Sequence, residues 1–200
     1  MSFLPPSLRA LCVFCGASSG IKPAYSEAAS RLGTVLAQNG VRLVYGGGSV
    51  GLMRTLAQAC LEAGGEVVGI MPQHLVDTEL SMEGLTELLI VPDMHTRKRE
   101  MFDRSDAFAV LPGGFGTMDE TFEILTWKQL GLHTRPVVIA DIEGYWAPFL
   151  NFNKSMSSEG FVSPSSLNHY AVVSDVDHIL PEVHKHLGGA DKVHEKANLF

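Results

Sequence analysis

Three glycines, a threonine and two carboxylates lie together in Leu111-Pro112-Gly113-Gly114-Phe115-Gly116-Thr117-Met118-Asp119-Glu120, and the order of the glycines and threonine suits the capture of an anion. The apolar run from Ala107 to Leu111 reads as a short strand, the Pro-Gly-Gly-Phe-Gly segment as a tight reversal, and Thr117 as the N-cap of an amphipathic helix. A helix start presents unpaired backbone N–H groups and the positive end of the helix dipole, and glycines let an anion approach that backbone closely. Phosphate fits such an end. Glu120 admits two readings. With Thr117 it matches a capping box, in which the acid bonds back to the N–H of the cap. Alternatively, a carboxylate one turn into a phosphate-binding helix serves another part of the ligand, a sugar hydroxyl or a water. Asp119 lies about 100° around the helix from Glu120. The two acids are therefore no facing carboxylate pair, and Asp119 reads as an acid favoured by the helix dipole.

A second chemical feature precedes this stretch. The chain has 15 lysines and arginines and a net charge of -7, with no basic residue between Arg54 and Arg97. Arg97, Lys98, Arg99 and Arg104 then follow within eight residues. An acidic chain of this kind lacks the basic face that nucleic acid or a membrane surface demands, so the cluster marks a local anion site. Arg97 is the functional candidate, whereas Arg99 and Arg104 read as surface residues. His95, His184, His186 and His194 form no convincing metal set.

The elements that must position these residues can be read in order. Strands are expected at Ala10 to Cys15, Val41 to Tyr45, Val67 to Met71, Leu88 to Val91, Ala107 to Leu111 and Pro136 to Ala140. Helical spacing links Tyr25, Ala28, Ala29, Leu32, Val35 and Leu36, with Asn39-Gly40 as the stop, and again Leu52, Met53, Leu56, Ala57, Cys60 and Leu61. Two later stripes are Tyr145, Phe149, Phe152, Met156 and Ile179, Leu180, Val183, Leu187. Short strands without alternation, separated by helices, predict a Rossmann-like doubly wound parallel sheet of the α/β class in one domain, residues 1–187, with a tail at 188–200. In such sheets ligands bind at the carboxyl edge of the strands, where three glycine- or serine-rich loops are expected to converge. Gly46, Gly48 and Gly51 fit G-x-G-x-x-G, but the motif follows the second strand and no acid ends the next, which argues against a dinucleotide; no loop continues as Gly-Lys-Ser/Thr. Cys12 and Cys15 share a strand-like run and read as core thiols on opposite faces. The N-terminal apolar run is too short for a signal core or a span, and three cysteines suit a reducing compartment, so the chain reads as cytosolic.

The segment from Pro112 to Glu120 resembles the PGGxGTxxE motif, and Arg97-Lys98 the upstream Arg-Lys pair, of the LOG (Lonely Guy) family of cytokinin riboside 5'-monophosphate phosphoribohydrolases. The likeness extends through Phe14-Cys15-Gly16, Tyr45 to Met53 and Thr126-Trp127-Lys128-Gln129-Leu130-Gly131, over roughly residues 10 to 187. It implies hydrolysis of the N-glycosidic bond of an adenine-type nucleoside 5'-monophosphate without metal or cofactor. It further implies Arg97 and Glu120 as catalytic residues, and Lys98, Gly113, Gly114, Gly116 and Thr117 as nucleotide contacts. Glu79 and Thr126 join them as substrate contacts, with Ser19 and Gly47 from the first two loops, in a homodimer with sites near the subunit interface. Arg54 and Asp119 depart from the family's common glycine and glutamate. Two rivals remain: a lysine decarboxylase, which would need a Schiff-base lysine for pyridoxal phosphate, and a non-catalytic nucleotide carrier on the same fold.

Overall fold

The computed structural model describes residues 8–76 and 81–187. Seven parallel strands form one sheet: β1 (Ala10–Phe14), β2 (Arg42–Tyr45), β3 (Val67–Pro72), β4 (Glu87–Val91), β5 (Ala107–Val110), β6 (Val137–Ala140) and β7 (Ala171–Val173). Their spatial order is β4-β3-β2-β1-β5-β6-β7. Strand order thus reverses between β1 and β5, where Leu11 pairs with Ala107 and Phe14 with Val110. The helices are α1 (Pro23–Gln38), α2 (Gly51–Glu62), a short α3 (Gln73–Val76), α4 (Met94–Asp103), α5 (Phe115–Gln129), α6 (Ala147–Ser158) and α7 (Ile179–Leu187).

Alternate strand residues feed two cores, one on each face of the sheet. Leu11, Val13 and Cys15 join Leu32, Leu36, Leu56 and Val183 under α1, α2 and α7. Ala10, Cys12 and Phe14 join Met101, Ile124 and Phe149 under α4, α5 and α6. Burial on both sides explains why the strands carry no polar alternation. It also sends Cys12 and Cys15 to opposite faces as free, buried thiols, and burial pushes both pKa values up, with the Glu120 charge adding to the effect.

Four expectations need correction. The sheet has a seventh strand, β7, an apolar edge run of only three residues, too short to stand out as a strand in the sequence. The helix after β5 begins at Phe115 with Gly114 as its N-cap, three residues before Thr117. Because Thr117 is inside the first turn, the capping-box reading of Glu120 is overturned. The stripe expected from Tyr145 to Met156 is replaced by a helix that starts at Ala147 and buries Phe149 and Asn153, leaving Phe152 exposed. Among the described residues, no helix is long and apolar enough to cross a membrane.

Candidate active site

The reversal of strand order between β1 and β5 opens a crevice at their carboxyl ends, the position that doubly wound sheets offer to ligands. Three loops are stapled together there. The Gly16 N–H donates to the Pro112 carbonyl at 3.0 Å, joining the loops after β1 and β5, and the Leu52 N–H donates to the Gly16 carbonyl at 3.0 Å, bringing in the start of α2. Between them lies a cavity of about 500 Å³, walled by Gly16 to Gly20, Leu52, Met53, Arg97, Pro112 to Thr117, Glu120 and the ring of Tyr145.

The rim is the start of α5. Its first intrahelical bond runs from the Met118 N–H to the Gly114 carbonyl at 3.0 Å, so the N–H groups of Phe115, Gly116 and Thr117 have no partner within the helix. A Cβ on Gly113 would meet the Thr117 Oγ1 at 2.1 Å. Glycine at 113 is what allows the threonine to fold over the turn.

The floor is built from Glu120 and Arg97, both buried. Arg97 comes from α4, whose N-cap Asp93 accepts from the Thr96 N–H at 2.8 Å. Its guanidinium is seated on backbone: Nε donates to the Ile70 carbonyl of β3 and Nη2 to the Gly46 carbonyl after β2, each at 3.0 Å. A Cβ on Gly46 would lie 1.8 Å from that Nη2. The remaining nitrogen, Nη1, stands 3.8 Å from Glu120 Oε1. Burial raises the Glu120 pKa from 4.5 to about 7, with Arg97 opposing the rise, Asp119 adding to it, Lys98 opposing it and Glu123 adding to it. A carboxyl poised near neutrality in a cleft is suited to accept a proton there.

Other anticipated residues take various positions. Ser19, Gly113, Gly114, Gly116 and Thr117 line the cavity with Arg97 and Glu120. Lys98, Gly47 and Thr126 are not among its lining residues. Lys98 pairs with Asp119 and Glu123. Gly47 packs toward β3, its carbonyl accepting from the Met82 N–H, and Thr126 is exposed two turns further along α5. Glu79 lies outside the described residues. Arg99 and Arg104 are surface residues, paired with Asp103 and with Glu100 and Glu87.

Two contributors escaped the sequence reading. Tyr145 reaches the cavity after β6 and its hydroxyl donates to the Gly113 carbonyl, fixing one peptide of the turn. Asp93 had a legible signal, an acid directly before a helical run. Tyr145 had none, because its contact closes over 32 residues.

A family model described as "Possible lysine decarboxylase" matches residues 53–183. Over 158 residues the chain is 46% identical to the cytokinin riboside 5'-monophosphate phosphoribohydrolase LOG1 of Arabidopsis thaliana, covering 79% of this chain and 74% of that one. The chain belongs to the LOG family. A rice member, the probable cytokinin riboside 5'-monophosphate phosphoribohydrolase LOGL6 of Oryza sativa subsp. japonica, is 40% identical over 193 residues, 96% of this chain and 77% of its own. The fold is shared more widely: the molybdenum cofactor carrier protein of Chlamydomonas reinhardtii superposes with a TM-score of 0.70 at 20% identity, covering 92% of this chain and 99% of that one. In this LOG-family chain the site does not fit the chemistry of the family model's description. A pyridoxal phosphate enzyme needs a lysine at the cofactor, and no lysine is among the described residues that line the cavity. Lys98 is held by two carboxylates, and Lys128 donates to the Arg135 carbonyl at 2.9 Å.

Proposed function

We propose that this protein hydrolyses the N-glycosidic bond of cytokinin riboside 5'-monophosphates, and of AMP, releasing free base and ribose 5-phosphate. The observation that carries the reading is the buried Glu120, faced by Arg97 on the floor of a cavity whose rim is a glycine turn and a helix start. Phe115 and Glu120 are five residues apart, about 7.5 Å along a helix axis, a separation that a ribose spans between its 5'-phosphate and its glycosidic carbon.

The unpaired N–H groups of Phe115, Gly116 and Thr117 hold the phosphate, with the Thr117 and Ser19 hydroxyls beside them. The sugar then lies over Glu120. As the bond from C1' to the base nitrogen lengthens, positive charge develops at C1' and the Glu120 carboxylate stabilises it. Glu120 accepts a proton from the water whose oxygen bonds to C1', and the base leaves with the bonding electron pair and takes up a proton. Arg97, immobilised by the Gly46 and Ile70 carbonyls, keeps the carboxylate oriented and offsets its charge. The protein is further proposed to be a cytosolic homodimer with its sites near the interface. Phe115, 97% exposed on the cavity rim, supports that arrangement, since a large apolar side chain in this position gains by being covered.

The test is chromatographic. Purified protein is incubated with AMP and with isopentenyladenosine 5'-monophosphate, alongside the unphosphorylated nucleosides. Base release from the monophosphates alone, reduced about 10²- to 10⁴-fold in Glu120→Gln, is the expected result. Binding of AMP without base release would instead identify a carrier.

A further inference from the structure

Lys98 stands directly after Arg97 on α4, yet it faces a different space. It shares with Glu120 a small cleft of about 10 Å³, lined also by Phe14, Phe102, Glu123, Ile124 and Trp127, and separate from the nucleotide cavity, with which it has only Glu120 in common. Such a cleft has room for one water at most. The ammonium, largely buried, lies 3.2 Å from Asp119 Oδ2 and 3.1 Å from Glu123 Oε1. Those acids flank Glu120 on the same helix, Asp119 about 100° around it toward solvent and Glu123 three residues on, so Lys98 bridges the two acids on either side of Glu120.

We propose that Lys98 is a positioning residue that neutralises Asp119 and Glu123 from behind, and thereby lets Glu120 ionise at the pH where it must take a proton. The proposal rests on the reading of Glu120 as the proton acceptor. The charged and titratable groups around Glu120 are Arg97 and Lys98 from α4, Asp119 and Glu123 from α5, and the Cys12 and Cys15 thiols of β1 and the turn after it. The thiols are held neutral by burial. Two cations therefore face three carboxylates, and Arg97 is already committed to the floor of the cavity. Removing Lys98 would leave Glu120 between two uncompensated acids, each disfavouring its ionisation. Lys98 itself stays charged: burial opposes its charge, but the hydrogen bonds to Glu123 and Asp119 carry its pKa above the ordinary lysine value.

The experiment follows Glu120 directly, by ¹³C NMR of unliganded protein labelled on glutamate side chains, with Glu120→Gln assigning the resonance. In Lys98→Met the Glu120 midpoint is expected to rise by about one pH unit, and the acidic limb of the kcat/KM profile for AMP to rise with it, while KM at high pH stays near wild type. Lys98→Arg should restore both. Glu123→Gln, a change at a partly exposed position, is expected to lower the midpoint, and it decides the matter should Lys98→Met fail to fold. An unmoved midpoint in either variant overturns the proposal, as does a raised KM with an unmoved limb, which would make Lys98 a nucleotide contact. Because the titration needs no substrate, a wild-type protein that shows the coupling but releases no base would overturn the phosphoribohydrolase reading alone.

Discussion

Glu120 illustrates how a functional group acts against the fold that holds it. Its pKa is raised by burial from 4.5 to about 7, so in the folded protein the proton is retained at a pH where the unfolded chain has lost it. Stability therefore falls as pH rises from about 4.5 to about 7, and above that range the folded state carries a penalty of about 3 kcal/mol, from 1.36 kcal/mol per pKa unit. Glu120→Gln escapes this penalty. Its unfolding free energy, measured by urea titration, is expected to match wild type near pH 4.5 and to exceed it by up to about 3 kcal/mol at pH 8, even as activity is lost. For the wild type, kcat/KM should climb with pH through about 7 and level off above it, because the carboxylate is the working form. A profile flat from pH 5 to pH 9 would remove Glu120 from the chemistry.

At the scale of elements, the site depends on two helix starts and one absent side chain. Asp93 caps the helix that carries Arg97, and Asp93→Ala should cost about 1 kcal/mol in stability with a loosened arginine. Gly46→Ala has a sharper consequence. A methyl group 1.8 Å from Arg97 Nη2 must displace the guanidinium, so turnover is expected to fall at least about tenfold, while circular dichroism of the folded protein remains that of the wild type. Unchanged turnover would show that the backbone seat of Arg97 is dispensable.

These same elements show what the sequence could convey. Strand and helix periodicity gave β1 through β6 because both faces of the sheet are buried and the pattern is local. The glycine turn and the following helix were equally legible, but the cap was misjudged: Thr117 has the chemistry of an N-cap, yet the backbone enters the helix at Gly114 and leaves Phe115 nearly bare at the rim. Ordinary burial rules assign such a phenylalanine to a core. The seat of Arg97 was illegible for another reason, since main-chain carbonyls 27 and 51 residues away carry no residue-type signal. Lys98, which the resemblance implies as a nucleotide contact, is not among the residues lining the larger cavity: consecutive residues on a helix point about 100° apart, and one step along α4 separates the cavity that Arg97 lines from the cleft that Lys98 lines.

For the whole molecule, the homodimer proposed above is expected to sediment near twice the 21.6 kDa of the chain; a species of chain mass at assay concentrations would discard it. The strand order bears on how the protein comes into being. Synthesis delivers β1 through β4 first, and these can pair in sequence as β4-β3-β2-β1. Until Ala107 to Val110 emerges, one edge of β1, an entirely apolar strand in the folded protein's interior, has no neighbour. The crevice proposed to receive a nucleotide thus begins as an open strand edge on a partly made chain, the kind of surface that recruits other unfinished chains. Closing that edge and completing the floor of the cavity are coupled, since the turn after β5 leads directly into α5, which carries Glu120 to Arg97. Recovery of activity on refolding should therefore coincide with the loss of aggregation propensity, and both should lag behind the formation of helix.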